Sequence, residues 1–231
     1  MIDEERLARN GGRSRSSWTP RPERVEVRRR LGYLPQDVGF SGSATIFDTL
    51  DHVAVLKDHR EERRRRHLVF AALEQVRLAD RAADRVSSLS GGMRRRLGLA
   101  RAIVGSPTLL ILDEPAAGLD PDERQRVRAL LAERRHDRTT IVSTHLTDEA
   151  TESDVILVLH GGHIVFADSP ARLAGVAAGR VWSQPHAPGP DARASWRRPD
   201  GSYRCLGMPP PGTDTEAPTV EDGYLLLTST P

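Results

Sequence analysis

The stretch Leu89 to Asp120, LSGGMRRRLGLARAIVGSPTLLILDEPAAGLD, constrains the fold more than any other part of the chain. A glycine turn opens a helix, an apolar run ends in paired acids, and a tight turn ends in a further acid. Leu109 to Leu112 is bounded by Pro107 and Asp113, the pattern of a strand buried in a parallel sheet. Such a strand places Asp113 and Glu114 at the carboxyl edge of the sheet, where open α/β folds bind ligands. The first acid can hold Mg2+ through water, because Mg2+ dehydrates reluctantly, and the second can orient or deprotonate a water. A solvated strand end is the plain alternative. Ser90, Gly91 and Gly92 precede an arginine-rich helix. Free N–H groups at a helix start attract anions, and glycine lets a phosphate approach the backbone. An ordinary turn is the alternative there.

The flanking segments supply an α/β frame. Residues 1–24 show neither helical nor strand period and read as a disordered lead-in. Leu31 to Leu34 is a short strand stopped by Pro35, and Gln36 begins a loop. Thr45 to Lys57 and Glu61 to about Leu78 are helices, the first capped by Thr45 and the second with a stripe of Leu68, Ala72, Leu73 and Val76. The arginine run from Arg63 to Arg66 reads as a solvated helix face. A further helix covers Met93 to Val104. Asp120 caps the next one, with Pro121 at its first position and Glu123 as the returning capping-box acid. Arg138 to Thr144 predicts a second buried strand, followed by His145. A short acidic helix spans Thr147 to Ser153, and Val155 to Ala167 predicts a hairpin around Gly161-Gly162. From about Trp182 the composition shifts, and nine of the sixteen prolines lie from Pro185 onward. Strand-like pieces at Ser202 to Leu206 and Tyr224 to Thr228 predict a small, loosely held β-rich appendage over residues 181–231.

Composition narrows the function classes. A formal charge of +2 is too small to argue for nucleic acid. Cys205 is the only cysteine, so no disulfide framework exists within these residues. No run approaches the ~20 apolar residues that cross a bilayer, so a membrane process would need another chain to do the crossing.

Taken in order, the Gln36 loop, the Ser-Gly-Gly helix start, apolar-Asp-Glu, Gly-Leu-Asp and apolar-Ser-Thr-His resemble the nucleotide-binding subunit of ABC transporters. GYLPQ is similar to the Q-loop, LSGGMRRRLGLARAI to the signature motif, LLILDEP to Walker B, AAGLD to the D-loop and STH to the switch-histidine segment. The resemblance covers about Val25 to Ala174. It implies a P-loop NTPase-like ABC ATPase core at 25–180, with a helical subdomain at about 42–105. By the resemblance, Gln36 senses Mg2+ and water and couples to the membrane subunit. Ser90, Gly91 and Gly92 bind the γ-phosphate of an ATP held by the opposite subunit, and Asp120 communicates across the dimer. Asp113 serves Mg2+, Glu114 is the general base, and His145 stabilises the transferring phosphoryl charge. The implied cofactors are ATP and Mg2+, and the implied partners are a second ABC ATPase subunit and an integral-membrane permease. The implied place is cytoplasmic, peripheral on the inner face of the plasma membrane. LSGGM and PTVEDGYLLLT look like exporters of the ABC-2 type.

The family's GxxxxGK[ST] loop is missing: Lys57, the only lysine in 231 residues, has no glycine loop before it. The backbone cradle, the phosphate lysine and the hydroxyl on Mg2+ go with it. The expectation is an amino-terminally truncated ABC ATPase that is inactive alone, with an incomplete sheet, open strand edges and marginal stability. A catalytically inert regulatory or structural subunit, or a gene remnant, is the alternative.

Overall fold

The computed structural model describes residues 26–27, 29–133, 138–189 and 191–229. It divides into two compact units, Met1–Val142 and Ser143–Pro231.

The first unit is built on a three-stranded sheet of order β1-β2-β3, with β1 at Leu31–Leu34, β2 at Leu109–Asp113 and β3 at Thr139–Ser143. β1 and β2 run parallel, with Leu31 opposite Leu109 and Leu34 opposite Leu112. Leu34, Leu110 and Leu112 are fully buried, which fits the apolar run read from the sequence. Helices α1 (Ile46–Leu56), α2 (Glu62–Gln75), α3 (Gly91–Ile103) and α4 (Pro121–Glu133) accompany the sheet. Two glycines let α3 lie close on β1. A β-carbon on Gly32 would stand 2.1 Å from the Ala102 carbonyl oxygen, and one on Gly98 would stand 2.9 Å from both Leu34 and Val38. That approach puts the first turns of α3 beside the carboxyl ends of β1 and β2.

α1 starts where the sequence predicts, with the Asp48 N–H donating to Thr45 Oγ1 at 3.0 Å. Its apolar stripe Ile46, Leu50 and Ala54 is fully buried. On α2 the expected stripe shifts by one residue: Val69 is buried with Ala72, Leu73 and Val76, while Leu68 is only partly buried. The arginine run is mostly solvated, but Arg65 is tied to Asp51 at 2.8 Å.

β3 departs from the sequence-based expectation of a buried strand. Its residues alternate between exposed and half-buried, and Ile141 is 52% exposed. β3 is the end strand of its sheet, and among the described residues no strand pairs with its far edge.

The second unit contains α5 (Thr147–Thr151), the antiparallel hairpin β4 (Ile156–His160) and β5 (His163–Asp168), and α6 (Pro170–Gly175). Gly161 and Gly162 make the hairpin turn with φ of 56° and 80°. Ile156 and Val158 pack with Leu173, while Leu157, Leu159 and Ile164 face outward. A second sheet of order β6-β8-β7 follows, from Val181–Gln184, Tyr203–Gly207 and Ala192–Arg197. Tyr224 to Thr228 is not a strand; it lies in helix α7 (Val220–Thr228). A capping box decides this: Thr219 Oγ1 accepts from the Asp222 N–H at 3.2 Å, and Asp222 Oδ2 accepts from the Thr219 N–H at 2.7 Å. The carboxyl-terminal part is also packed rather than loose, since Trp182, Cys205, Leu206 and Asp222 are all buried. Among the described residues no helix is long and apolar enough to cross a membrane.

Candidate nucleotide site

β1 and β2 run parallel and end at the same level, so Gln36 follows one strand end and Asp113-Glu114 closes the other. Gln36 is exposed, and both acids are half-buried. Glu114 takes the left-handed backbone conformation, φ 50°, which costs a non-glycine residue about 1–2 kcal/mol. The turn after it is held by Ala117 N–H donating to Glu114 O at 3.1 Å.

In the sequence Arg95 is one of a run of helix arginines; in the fold it is the centre of this region. It lies on α3, is only 8% exposed, and reaches between the two strand ends. Nη1 donates to the Pro35 and Gln36 carbonyl oxygens at 3.1 and 2.5 Å. Nη2 donates to Asp113 O at 2.6 Å and also to Glu114 O. Nε donates to Pro115 O at 3.4 Å. A guanidinium has five N–H donors, and every one of them ends on a main-chain carbonyl. Burial holds the guanidinium below the usual arginine range, against the opposing pull of Asp113, Glu114 and Asp37. A signal was present in the sequence: Arg95 falls three, four and seven residues before Gly98, Leu99 and Ala102, the spacing that puts it on a buried face of the helix.

The Ser90 hydroxyl caps α3, accepting from the Met93 N–H at 3.3 Å. That uses a lone pair and leaves its O–H as a donor. The two glycines differ. A β-carbon on Gly91 would meet nothing within 4 Å, whereas one on Gly92 would stand 3.1 Å from Glu123 Oε2. Glu123 is therefore not the returning capping-box acid. Its N–H does bond to Asp120 Oδ1 at 2.8 Å, so Asp120 caps α4 as expected, but its carboxylate pairs with Arg96 at 3.2 Å. Thus Asp120, Glu123, Arg96 and Gly92 connect the start of α4 to the start of α3. His145 is exposed and belongs to the second unit.

These residues fit part of a nucleotide site. Open N–H groups at the α3 start suit a phosphate. Asp113 and Glu114 suit Mg2+ only when phosphate oxygens complete its shell; among the described residues no cluster of three or more His, Cys, Asp or Glu could hold a metal ion. Among the described residues nothing supplies the phosphate loop. Arg95 has no donor left, and the Lys57 ammonium donates to Val104 O at 2.9 Å, with burial pulling its pKa down to about 8.

The family model for the ABC transporter matches residues 3–117, reaching upstream of the quoted motifs. The Nod factor export ATP-binding protein I of Rhizobium meliloti (strain 1021) is 38% identical over 162 residues, covering 67% of this chain and 47% of that protein. The phosphonates import ATP-binding protein PhnC of Hyphomonas neptunium (strain ATCC 15444) is 38% identical over 165 residues, covering 67% and 63%. A solved structure of a bacterial Atm1-family ABC exporter with ATP bound is 27% identical with a TM-score of 0.55, over 64% of this chain and 26% of that one. The chain spans about half the length of the Nod factor export proteins it matches. With the Gln36 loop, the capped Ser90 turn and the Asp113-Glu114 strand end in one unit, the chain belongs to the family of ABC transporter ATP-binding subunits.

Proposed function

We propose that this chain is an ATP-binding subunit that helps energise export through a separate membrane permease, working with a nucleotide that a second ATP-binding subunit holds. The observation that carries this is the start of α3: Ser90 and Gly91 are exposed with open space at Gly91, while Gly92 is backed by Glu123. In this reading Ser90, Gly91 and Gly92 take the γ-phosphate of the partner's ATP, and Asp120 lies toward that dimer partner. Gln36 couples to the permease and serves Mg2+ with Asp113. Glu114 as general base and His145 as phosphoryl stabiliser act only where a phosphate loop presents a nucleotide to them. The assembly sits on the inner face of the plasma membrane through its permease. Similarity to both an export and an import protein means that direction rests on the LSGGM and PTVEDGYLLLT resemblances.

Isothermal titration tests the division of labour. The purified chain is expected to bind no MgATP at micromolar concentration, and a complete partner subunit is expected to bind it more tightly when this chain is added. Micromolar binding by the chain alone would sink the proposal. One other reading is an inert regulatory subunit. Glu114→Gln in the assembled transporter separates them, because unchanged transport shows that this carboxylate is not catalytic.

A further inference from the structure

We propose that Arg95 is a positioning residue: its guanidinium holds the Gln36 loop and the Asp113–Pro115 turn as one unit on α3, so that a shift of the Ser90 turn is passed to both. The clamp itself is a property of this chain; its use in signalling rests on the function proposed above.

Three features make Arg95 a coupling element rather than one more buried side chain. Its acceptors come from two segments far apart in sequence, Pro35-Gln36 and Asp113–Pro115. All are main-chain carbonyls at strand ends, so the bonds fix backbone position and do not depend on which side chains the loops carry. And Arg95 lies five residues after Ser90 on the same helix, little more than one turn, so α3 carries the phosphate-facing turn and the clamp as one rigid piece. Glu114 gains most, because its left-handed backbone persists only where its surroundings impose it. Lysine cannot replace this arrangement: one ammonium with three donors on one nitrogen cannot span five carbonyls on two segments.

Amide hydrogen exchange on the full chain tests the clamp. Arg95→Lys is expected to raise exchange at least tenfold at residues 36–38 and at 114, 116 and 117 together. Exchange in α1 and α2 should stay unchanged. Arg95→Ala should behave alike, and millimolar ethylguanidinium should restore protection in both segments while ethylammonium does not. Loosening of only one segment, or of neither, would overturn the inference. Should Arg95→Ala fail to fold, Arg95→Lys and the exchange pattern still decide it. In the complex with a complete ATP-binding partner, MgATP should protect residues 90–93 and 36–38 of the wild type. Arg95→Lys should keep the first protection and lose at least fivefold of the second. Retention of both by Arg95→Lys rejects the signalling role. Absence of protection at 90–93 in the wild type rejects instead the function proposed above, and the signalling role with it, while the exchange pattern of the isolated chain still judges the clamp.

Discussion

Glu123 lies against Gly92: its Oε2 stands 3.1 Å from where a β-carbon on that glycine would be, and its Oε1 pairs with Arg96 at 3.2 Å. Gly92 is thus small for an internal reason as well as for any ligand. Alanine gains about 0.8–1.0 kcal/mol over glycine inside a helix, but here it must push aside a mostly buried ion pair. Gly92→Ala is expected to destabilise the wild type and to stabilise a Glu123→Ala background. Urea unfolding of the four proteins should give a coupling of about 1 kcal/mol. Equal effects in both backgrounds refute the contact. Gly91→Ala, with open space in front of it, should be stabilising in both backgrounds, by up to about 1 kcal/mol.

How much of this was legible beforehand differs by element. β1, β2, α1, α3 and α4 follow from local signals: apolar runs between breakers, Thr45 and Asp120 as caps, and glycines that open a helix. β3 forms where expected but is not buried, because an apolar run reports which residues avoid water and not whether a neighbour exists to cover them. Tyr224 to Thr228 was misjudged because its aliphatic run suits either period, and the capping box Thr219–Asp222 that decides the matter begins five residues earlier. Arg95 was overlooked because the bonds that define it go to backbone atoms of distant segments, which no side-chain pattern encodes. The pairing of Glu123 with Arg96 instead of its own cap is likewise a tertiary contact.

The network around Glu216 sets an acid limit for the second unit. Its carboxyl is held down to about 2, first by the Arg198 hydrogen bond and then by that of Ser183, against a modest opposing effect of burial. Arg198 Nη2 stands 2.6 Å and Arg204 Nη1 2.5 Å from Glu216 Oε2. A carboxyl whose pKa is lower in the folded state contributes stability above its unfolded pKa and loses it as pH falls. The window here runs from the ordinary 4.5 down to about 2. Glu216→Gln is expected to lower the unfolding midpoint at pH 7 and to flatten its decline between pH 4.5 and 2.5. Calorimetric scans of both proteins measure this, and parallel pH profiles would show that Glu216 contributes nothing.

The open edge of β3 should govern behaviour at high concentration. Ile141 is 52% exposed on an end strand, and exposed strand edges template association. Ile141→Lys places a charge there without emptying a core site, so stability should change by less than about 0.5 kcal/mol while light scattering at high concentration falls. The lone chain should melt below ~60 °C, within the range of ordinary mesophilic domains. A wild type that stays monodisperse at high concentration and gains nothing from the lysine would reject the edge as a source of association.

Lys57 gives a slope of the same sign as Glu216 in an alkaline window, for the opposite reason: here the fold disfavours the charged form. Burial lowers its pKa from 10.5 to about 8, with the amine donating to Val104 O at 2.9 Å. Between those values the unfolded chain binds more protons than the folded one, so stability rises with pH across that window, by at most about 1.4 kcal/mol per unit. Lys57→Met keeps most of the buried aliphatic stem and removes the charge. It is expected to be more stable than the wild type at pH 7 and to lose the excess slope between pH 8 and 10, as read from urea midpoints. The depressed pKa also leaves a large neutral fraction at pH 8, so Lys57 should acylate with an amine-reactive ester at a pH where ordinary lysines stay protonated. Peptide mapping separates that product from the α-amine. A wild type and Lys57→Met with the same slope above pH 8 would mean that the ammonium is solvated in the folded chain and that the bond to Val104 does not constrain it.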